Sequence, residues 1–389
     1  MESCGKVSYM HPGEEFLTFA QQTKGKQGKG GPGDVKSPDR YEHLCGGGLR
    51  QQIGQMLMIG FRGITVHADS PIVRDIVERH IGGVVIYDYD VELKKFGRNV
   101  ESPNQLKDLT EALHEFSSTR LLVAVDQEGG KVARLKESYG FPPTESAESL
   151  GSTDIDLLTY LHSSLIADTL LKNGINMNLA PVVDVNVDPD SPAIGRYGRS
   201  FSSEPHAVVG HASAFIEAHH DMEILTTLKH FPGHGSATAD SHFGFTDVTA
   251  TWSEAELEPY AELVSAGLAD VVMTAHVFNS NIDPEFPATL SSNAIKGILR
   301  DKLGFDGVVI SDDMQMGAVT DQYGLETAIL RSLEAGVDML LFSNNMAYEE
   351  DIAERAIQIV LGAVESGQIS CEQIKKSGER IRLLKEKLN

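Results

Sequence analysis

The sequence predicts an α/β protein that folds as a single-domain (β/α)8 barrel, a TIM barrel, with a flexible N-terminal arm. From residue 50 onward, short apolar runs alternate with amphipathic stretches that have helix start and stop signals. Uncharged runs of this length suit strands that are buried on both faces of a parallel sheet. Acids, histidines and a lysine follow these runs, and parallel barrels carry their chemistry at the carboxyl ends of the strands. A doubly wound open sheet is the structural alternative.

Eight apolar runs are strand candidates, which is the number that a closed barrel of βα units requires. They lie at residues 55–60, 83–87, 121–125, 177–183, 225–230, 271–276, 307–311 and 337–342. The helix candidates lie at residues 71–80, 102–117, 153–172, 253–266, 292–303, 325–335, 348–364 and 371–388. Their end signals are local. Ser253, for example, opens a capping-box pattern, and Gly267 follows the same helix.

Residues 1–48 are predicted to form the flexible arm, and residues 49–389 the barrel domain. Residues 24–33 are rich in glycine and lysine and have no hydrophobic period, which is typical of a flexible segment. The start of the chain lacks the apolar centre of a signal peptide, and no apolar stretch is long enough to span a bilayer. We therefore expect a cytoplasmic enzyme, and we expect it to be a monomer.

The chain is acidic, with 33 Lys and Arg against 56 Asp and Glu and a formal net charge of −23. An acidic surface repels phosphate backbones and anionic lipids, so we expect neither a nucleic-acid nor a membrane partner. The three cysteines, Cys4, Cys45 and Cys371, are odd in number and far apart. They predict neither a disulfide framework nor a CxxC metal pair.

Asp312 directly follows the seventh apolar run, so its carboxylate is expected to point into the mouth of the barrel. A partly desolvated carboxylate in that position is suited to attack an electron-poor carbon. The alternative is that it caps the next helix. Because Asp313 offers a second acid, we assign the chemistry to Asp312 and the structural role to Asp313.

Asp240 and His242 are the second candidates for chemistry. A carboxylate bonded to one ring nitrogen of a histidine fixes the tautomer and raises the pKa of the other nitrogen. Such a pair can both donate and accept a proton near neutral pH. A surface loop with a helix cap explains the same spacing equally well, so the residues alone leave both interpretations open.

A metal site is not expected, and no motif predicts any other cofactor. His230 and His234 are four residues apart, but Pro232 and Gly233 between them break the helix that this spacing requires.

Cations and acids near the predicted mouth suit the hydroxyl groups of a small sugar substrate. They are Arg134, Arg199, Lys229, Asp126 and Glu128. Gly129 and Gly130 let the backbone approach a ligand closely at this point. For Arg134, a solvated position on a helix is the alternative.

The chain resembles glycoside hydrolase family 3, in particular its bacterial β-N-acetylglucosaminidase branch. The resemblance covers residue 50 to the end and rests on motifs that occur in the same order. They are DQEGGKVAR at 126–134, KHFPGHGSATADSH at 229–242, MTAHV at 273–277, PATLS at 287–291 and FDGVVISDD at 305–313. The resemblance implies a (β/α)8 barrel that hydrolyses terminal β-linked sugars with retention.

The resemblance also implies roles for the candidate residues. Asp312 matches the nucleophile that forms a covalent glycosyl-enzyme, and His242 matches the general acid/base, with Asp240 as its partner. The residues that match those holding the N-acetylglucosamine ring are Asp126, Arg134, Arg199, Lys229 and His230. Only two helices fit after the eighth strand, so we expect no second domain and an acid/base that comes from a barrel loop.

The chain departs from the family pattern at three places. Lys131 stands where arginine is common. Relatives usually have fewer residues between the glycine and the matching arginine, which makes Arg196 a weaker candidate for the role given to Arg199. Residues 87–98, at the barrel mouth, form a longer segment than expected, so the length of the substrate stays open.

Other functions remain compatible with the residues. A phosphorylase on the same fold is one, because a histidine acid/base does not repel an incoming phosphate. A β-glucosidase or β-xylosidase is another, because the fold does not decide the sugar. A sugar-binding protein without turnover is disfavoured by the intact Asp312 and Asp240–His242. Muropeptides and chito-oligosaccharides are both open as natural substrates.

Overall fold

The structure, a computed structural model, describes residues 44–241 and 244–388, which lie in one unit, Tyr41–Asn389. Its core is a sheet of eight parallel strands, and every residue of these strands is buried. The strands are β1 (Leu57–Gly60), β2 (Gly83–Ile86), β3 (Leu122–Val125), β4 (Met177–Asn178), β5 (Leu225–Phe231), β6 (Val271–Thr274), β7 (Val308–Ile310) and β8 (Leu340–Phe342). Burial on both faces explains why the runs are apolar without alternation.

The strands follow the order β7-β6-β5-β4-β3-β2-β1-β8, and each is parallel to its neighbours. The two edge strands also meet, because Ile310 and Met339 form a parallel bridge and the Ser311 N–H donates to the Met339 carbonyl at 2.9 Å. The sheet therefore curls into a barrel, and the prediction of a (β/α)8 barrel is confirmed. β4 is shorter than its apolar run, since Pro181 has no N–H to give to the ladder.

Helices cover the outside of the barrel. The α-helices are Leu49–Gln55, Pro71–Glu78, Pro103–Phe116, Ala147–Gly151, Asp156–Lys172, Pro205–His220, Glu258–Ser265, Gly317–Tyr323, Leu325–Ala335, Ile352–Ser366 and Cys371–Glu386, and Asn293–Lys302 is a π-helix. Each helix candidate from the sequence corresponds to one of them. In the described part of the chain, no helix is long and apolar enough to cross a membrane.

One long helix was not predicted from the sequence. Pro205–His220 packs against both Asp156–Lys172 and Glu258–Ser265, and its buried residues are spread around most of its circumference. A helix covered on several sides has no single apolar stripe, and the periodic pattern that reveals a surface helix is therefore missing.

The expectation of no disulfide is wrong. Cys45 and Cys371 are joined by a disulfide, with their Cα atoms 5.2 Å apart and a sequence separation of 326. A pair so far apart in sequence leaves no spacing signal. The bond fastens residue 45 to the last helix. The predicted domain boundary at residue 48 stays a prediction, because residues 1–43 lie outside the described residues.

Two short hairpins stand at the carboxyl ends of the strands. After β2, Tyr89–Asp90 pairs antiparallel with Lys95–Phe96. After β3, Gln127–Gly129 pairs antiparallel with Val132–Ala133. Both belong to loops that rise from the mouth of the barrel, and the second carries several of the predicted site residues.

Candidate active site

The ammonium group of Lys229 is the centre of the site. This residue lies near the carboxyl end of β5 and is only 2% exposed. Its Nζ is 2.8 Å from Asp126 Oδ1 and 2.7 Å from Glu128 Oε1. A buried ammonium is strongly unfavourable without counter-charges, so these two carboxylates are what allows a lysine at this position.

The cations keep both carboxylates ionised. Burial raises the pKa of Asp126, but Lys229 and Arg134 outweigh burial and hold this pKa well below its usual range. Burial also raises the pKa of Glu128, whereas Arg199 and Lys229 lower it to about 2. At neutral pH both groups therefore carry negative charge and only accept hydrogen bonds.

Arg134 extends the charged cluster of Lys229, Asp126 and Glu128 toward the second strand. Its Nη2 donates to Asp126 Oδ2 at 3.1 Å, and its guanidinium carbon lies 5.3 Å from the centre of the Tyr87 ring. Gln127 fixes the hairpin, because its side-chain oxygen accepts the Arg134 backbone N–H at 2.9 Å. The Arg134 Nε–H is buried and has no hydrogen-bond partner among the described residues. A ligand in the mouth can accept this hydrogen bond.

Arg199 reaches the cluster through Glu128. Its Nε donates to Glu128 Oε2 at 2.8 Å and its Nη2 to Oε1 at 2.7 Å. Such a two-point contact fixes the guanidinium in position and orientation. The Ala193 carbonyl accepts from Nη1 at 2.9 Å on the other flank. Arg196 is exposed, so the structure brings Arg199 rather than Arg196 to these groups.

His230 is held by Asp184. Its Nδ1 lies 2.7 Å from Asp184 Oδ2, and its backbone N–H donates to Oδ1 at 3.1 Å. Its Nε2 lies 3.2 Å from Nη2 of Arg199, which can only donate, so we assign the ring hydrogen to Nδ1. In the described ranges, no three His, Cys, Asp or Glu side chains are grouped to hold a metal ion.

The two acids after β7 have different surroundings. Asp312 is partly exposed, and its Oδ1 accepts the Asp313 N–H at 2.8 Å. Asp313 is 7% exposed, and its Oδ1 accepts the backbone N–H groups of Ser343 at 2.9 Å and Gln315 at 3.1 Å. The Ser343 hydroxyl donates to its other oxygen. Asp313 thus ties the loop after β7 to the end of β8, whereas Asp312 stands at the carboxyl end of β7 and is partly exposed.

Tyr87 belongs to the mouth, although the sequence did not single it out. Burial raises its pKa well above the usual value, and the carboxylates of Asp126 and Asp313 raise it further. Its hydroxyl therefore keeps its proton and can donate to a ligand. Glu128 and Asp184 are also more central than predicted. The available signal was position in the sequence, because Glu128 and Asp184 follow closely after apolar runs and Tyr87 is the last residue of one.

The loop after β5 leads toward the predicted acid/base pair. Gly235 is required there, because a Cβ at this position would lie 1.7 Å from the Val185 carbonyl oxygen. Ser241 Oγ lies 3.0 Å from His234 Nε2, and Asp240 is partly exposed. His242 lies outside the described residues, so its predicted pairing with Asp240 stays a prediction.

Glu256 lies beneath this loop. A Cβ on Gly233 would come within 2.7 Å of the Glu256 Cβ, and Gly233 has a φ of +124°, so only glycine fits. Glu256 itself is 0% exposed. Burial raises the pKa of Glu256 to about 7, although the Ser236 hydroxyl lowers it in part.

We expect Glu256→Gln to make the stability less dependent on pH. The folded chain holds a proton on Glu256 that the unfolded chain releases above its ordinary pKa near 4.5. The contribution of this group is therefore complete below pH 4.5 and is lost as the pH rises through 7. From pH 5 to pH 8 the wild type should lose about 2 kcal/mol more of its free energy of unfolding than the variant. Urea titrations at both pH values measure this, and parallel curves for the two proteins would contradict it.

Comparison with known proteins gives one consistent family. The family model described as the glycosyl hydrolase family 3 N terminal domain matches residues 48–384. A beta-hexosaminidase of Xylella fastidiosa is 39% identical over 293 residues, which are 74% of this chain and 82% of that protein. One of Tolumonas auensis is 37% identical over 297 residues, 75% of this chain and 83% of that protein.

The similarity extends to solved structures. A glycoside hydrolase family 3 beta-N-acetylglucosaminidase from a Paenibacillus species superposes with a TM-score of 0.79 at 35% identity. The match covers 87% of this chain and 62% of that longer chain.

Proposed function

Since the chain belongs to glycosyl hydrolase family 3, we propose that it is a retaining exo-β-N-acetylglucosaminidase that removes terminal β-linked N-acetylglucosamine from non-reducing ends. The observation that carries this proposal is the buried group of Lys229, Asp126 and Glu128 at the mouth where Asp312 stands. Fixed ionised donors and acceptors of this kind suit the several hydroxyl groups of one sugar ring. The relatives named beta-hexosaminidase support the choice of sugar.

Each reaction step has a residue to perform it in this proposal. Asp312 attacks the anomeric carbon, and the leaving-group oxygen departs with a proton from His242. The resulting glycosyl ester on Asp312 is then attacked by water, whose proton His242 accepts. Two displacements at the same carbon give retention. Asp240 orients the imidazole and stabilises its protonated form.

The remaining charged groups bind the sugar in this proposal. Asp126 accepts hydrogen bonds from hydroxyl groups, and Lys229 and Arg134 donate to them. The unpartnered Nε–H of Arg134 supports its assignment. Arg199 and His230 complete the pocket through their contact at 3.2 Å. No cofactor enters these steps.

We expect the protein to hydrolyse p-nitrophenyl β-N-acetylglucosaminide and to leave the corresponding β-glucoside and β-xyloside intact. Release of p-nitrophenol measures both. Activity on the glucoside or xyloside alone would keep the mechanism and overturn the sugar. Sugar 1-phosphate as the main product in phosphate buffer would identify the phosphorylase alternative instead. Muropeptides and chito-oligosaccharides remain the two proposed natural substrates.

The cellular location needs its own test. The cytoplasm was predicted from the start of the chain, but the Cys45–Cys371 disulfide favours an oxidising compartment, where such bonds persist. Alkylation of free thiols in freshly lysed cells decides between them, because a cytoplasmic protein should carry label on both cysteines. The monomeric state and the absence of nucleic-acid partners stay predictions.

A further inference from the structure

The hairpin after β2 is a distinct feature of the mouth. Tyr89–Asp90 and Lys95–Phe96 are its strands, and we call it the β2 hairpin. Tyr89 lies opposite Phe96, and their ring centres are 4.8 Å apart. The side chains alternate along each strand, so this aromatic pair occupies one face of the hairpin and Asp90 the other.

Buried charges hold the β2 hairpin in place. Asp90 accepts hydrogen bonds from Arg98 at 2.6 Å and from Arg62 at 2.7 Å, and the Arg98 side chain is fully buried. Arg98 also donates to the Asn344 carbonyl at 2.7 Å, just after β8. A buried ion pair is tolerated only in one well-defined geometry. These contacts therefore anchor the hairpin to the barrel.

A second anchor comes from the loop after β8. Asn345 accepts the Val91 N–H at 2.9 Å through its side-chain oxygen and donates to the Tyr89 carbonyl at 3.1 Å. Its own carbonyl accepts the Glu92 N–H at 3.2 Å. These contacts involve the backbone of the hairpin and leave its aromatic face uncovered.

The aromatic face borders the proposed sugar site. Lys136 Nζ lies 5.6 Å from the Phe96 ring centre and pairs with Asp88 at 2.5 Å. Lys136 is two residues beyond Arg134, which contacts Asp126. Phe96 nevertheless remains 52% exposed. The anchored hairpin thus displays a half-exposed aromatic ring at the rim, and Lys136, which lies over that ring, is two residues from Arg134.

We propose that the Tyr89–Phe96 pair is the platform on which the leaving-group sugar stacks, so that the β2 hairpin sets the preference for oligosaccharides. This inference rests on the proposed function. An exo-acting enzyme encloses only the terminal sugar, and the next ring must leave through the mouth and lie against its rim. Aromatic rings offer a pyranose a flat apolar surface. Binding energy from this ring, which does not react, can then be used in the transition state.

The test compares Phe96→Ala with the wild type on two substrates. N,N′-diacetylchitobiose releases a sugar as its leaving group, whereas methyl β-N-acetylglucosaminide releases methanol, which has no ring to stack. We expect kcat/KM for the disaccharide to fall about fivefold and that for the methyl glycoside to stay unchanged. Phe96→Tyr should restore the disaccharide value. Leu161→Ala is the matched control, since Leu161 is 51% exposed on the outer helix Asp156–Lys172.

Each other outcome has a definite meaning. An equal loss on both substrates, or no loss on either, overturns the platform and leaves the proposed function intact. If the wild type hydrolyses neither substrate, the proposed function fails, and calorimetric titration with triacetylchitotriose then tests the platform separately. Equal affinity in wild type and Phe96→Ala would overturn it.

Discussion

Asp312→Ala is expected to lower kcat by about 10⁴-fold or more, because the proposed covalent step loses its only nucleophile. Asp312 is the partly exposed acid directly after β7, and its Oδ1 accepts the backbone N–H of Asp313 at 2.8 Å. The substitution removes a partly exposed side chain, so folding should survive. Initial rates on p-nitrophenyl β-N-acetylglucosaminide, with a melting curve for each protein, measure the effect.

Azide provides a sharper readout for this variant. A small anion can enter the space left by the carboxylate and attack the anomeric carbon from the same side. We expect azide to restore turnover and to yield the α-glycosyl azide, a product with inverted configuration. Substantial activity of Asp312→Ala without azide would remove Asp312 from the nucleophile role.

The neighbouring acid supplies the control. Asp313 binds Ser343 and Gln315 through its carboxylate. Asp313→Asn should therefore weaken the link between the ends of β7 and β8, lowering the melting temperature. If Asp313→Asn also loses activity, azide should not restore that activity.

Lys229→Met is expected to lower kcat/KM by about a thousandfold and to destabilise the fold by about 4 kcal/mol. The substitution keeps an unbranched side chain, one heavy atom shorter, and leaves Asp126 and Glu128 buried without the ammonium between them. Their carboxyl pKa values should then rise, because burial raises them and one of the two cations that oppose burial at each carboxylate is gone. The acid limb of the pH–rate profile should move to higher pH.

Kinetics across pH and urea denaturation check this prediction together. Lys107→Met is the matched control, because Lys107 is exposed and pairs only loosely with Glu111 at 3.5 Å on an outer helix. Lys107→Met should change neither kcat/KM nor the free energy of unfolding appreciably. A Lys229→Met protein with wild-type kcat/KM and an unmoved acid limb would show that the ammonium does not organise the site.

Much of the site followed from one rule about parallel sheets. Asp126 and Lys229 were predicted to meet because each lies at a strand end, and their side chains are 2.8 Å apart. The rule predicts which side chains lie at the carboxyl edge of the sheet, but it does not predict which of them form hydrogen bonds or ion pairs with each other. It did not show that Glu128 completes the pair with Lys229 or that Asp184 holds His230, since these contacts depend on loop geometry after the strands.

Other features escaped the sequence for identifiable reasons. The Cys45–Cys371 disulfide links two ends of the domain, and no local pattern encodes that proximity. The helix Pro205–His220 is covered on several sides and so lacks an amphipathic period. The segment after β2 was noted only as long, whereas its antiparallel pairing and its buried Arg98 became evident in the fold.

The proposed glycosyl-enzyme on Asp312 can be trapped directly. The protein is incubated with a 5-fluoro-β-N-acetylglucosaminyl fluoride, which forms the glycosyl-enzyme faster than water can release it, and its peptides are analysed by mass spectrometry. We expect one added sugar, on the peptide that contains Asp312, and none in Asp312→Ala. A sugar on another carboxylate, or no added sugar on an enzyme that still turns over its substrate with inversion, would contradict a retaining mechanism through Asp312.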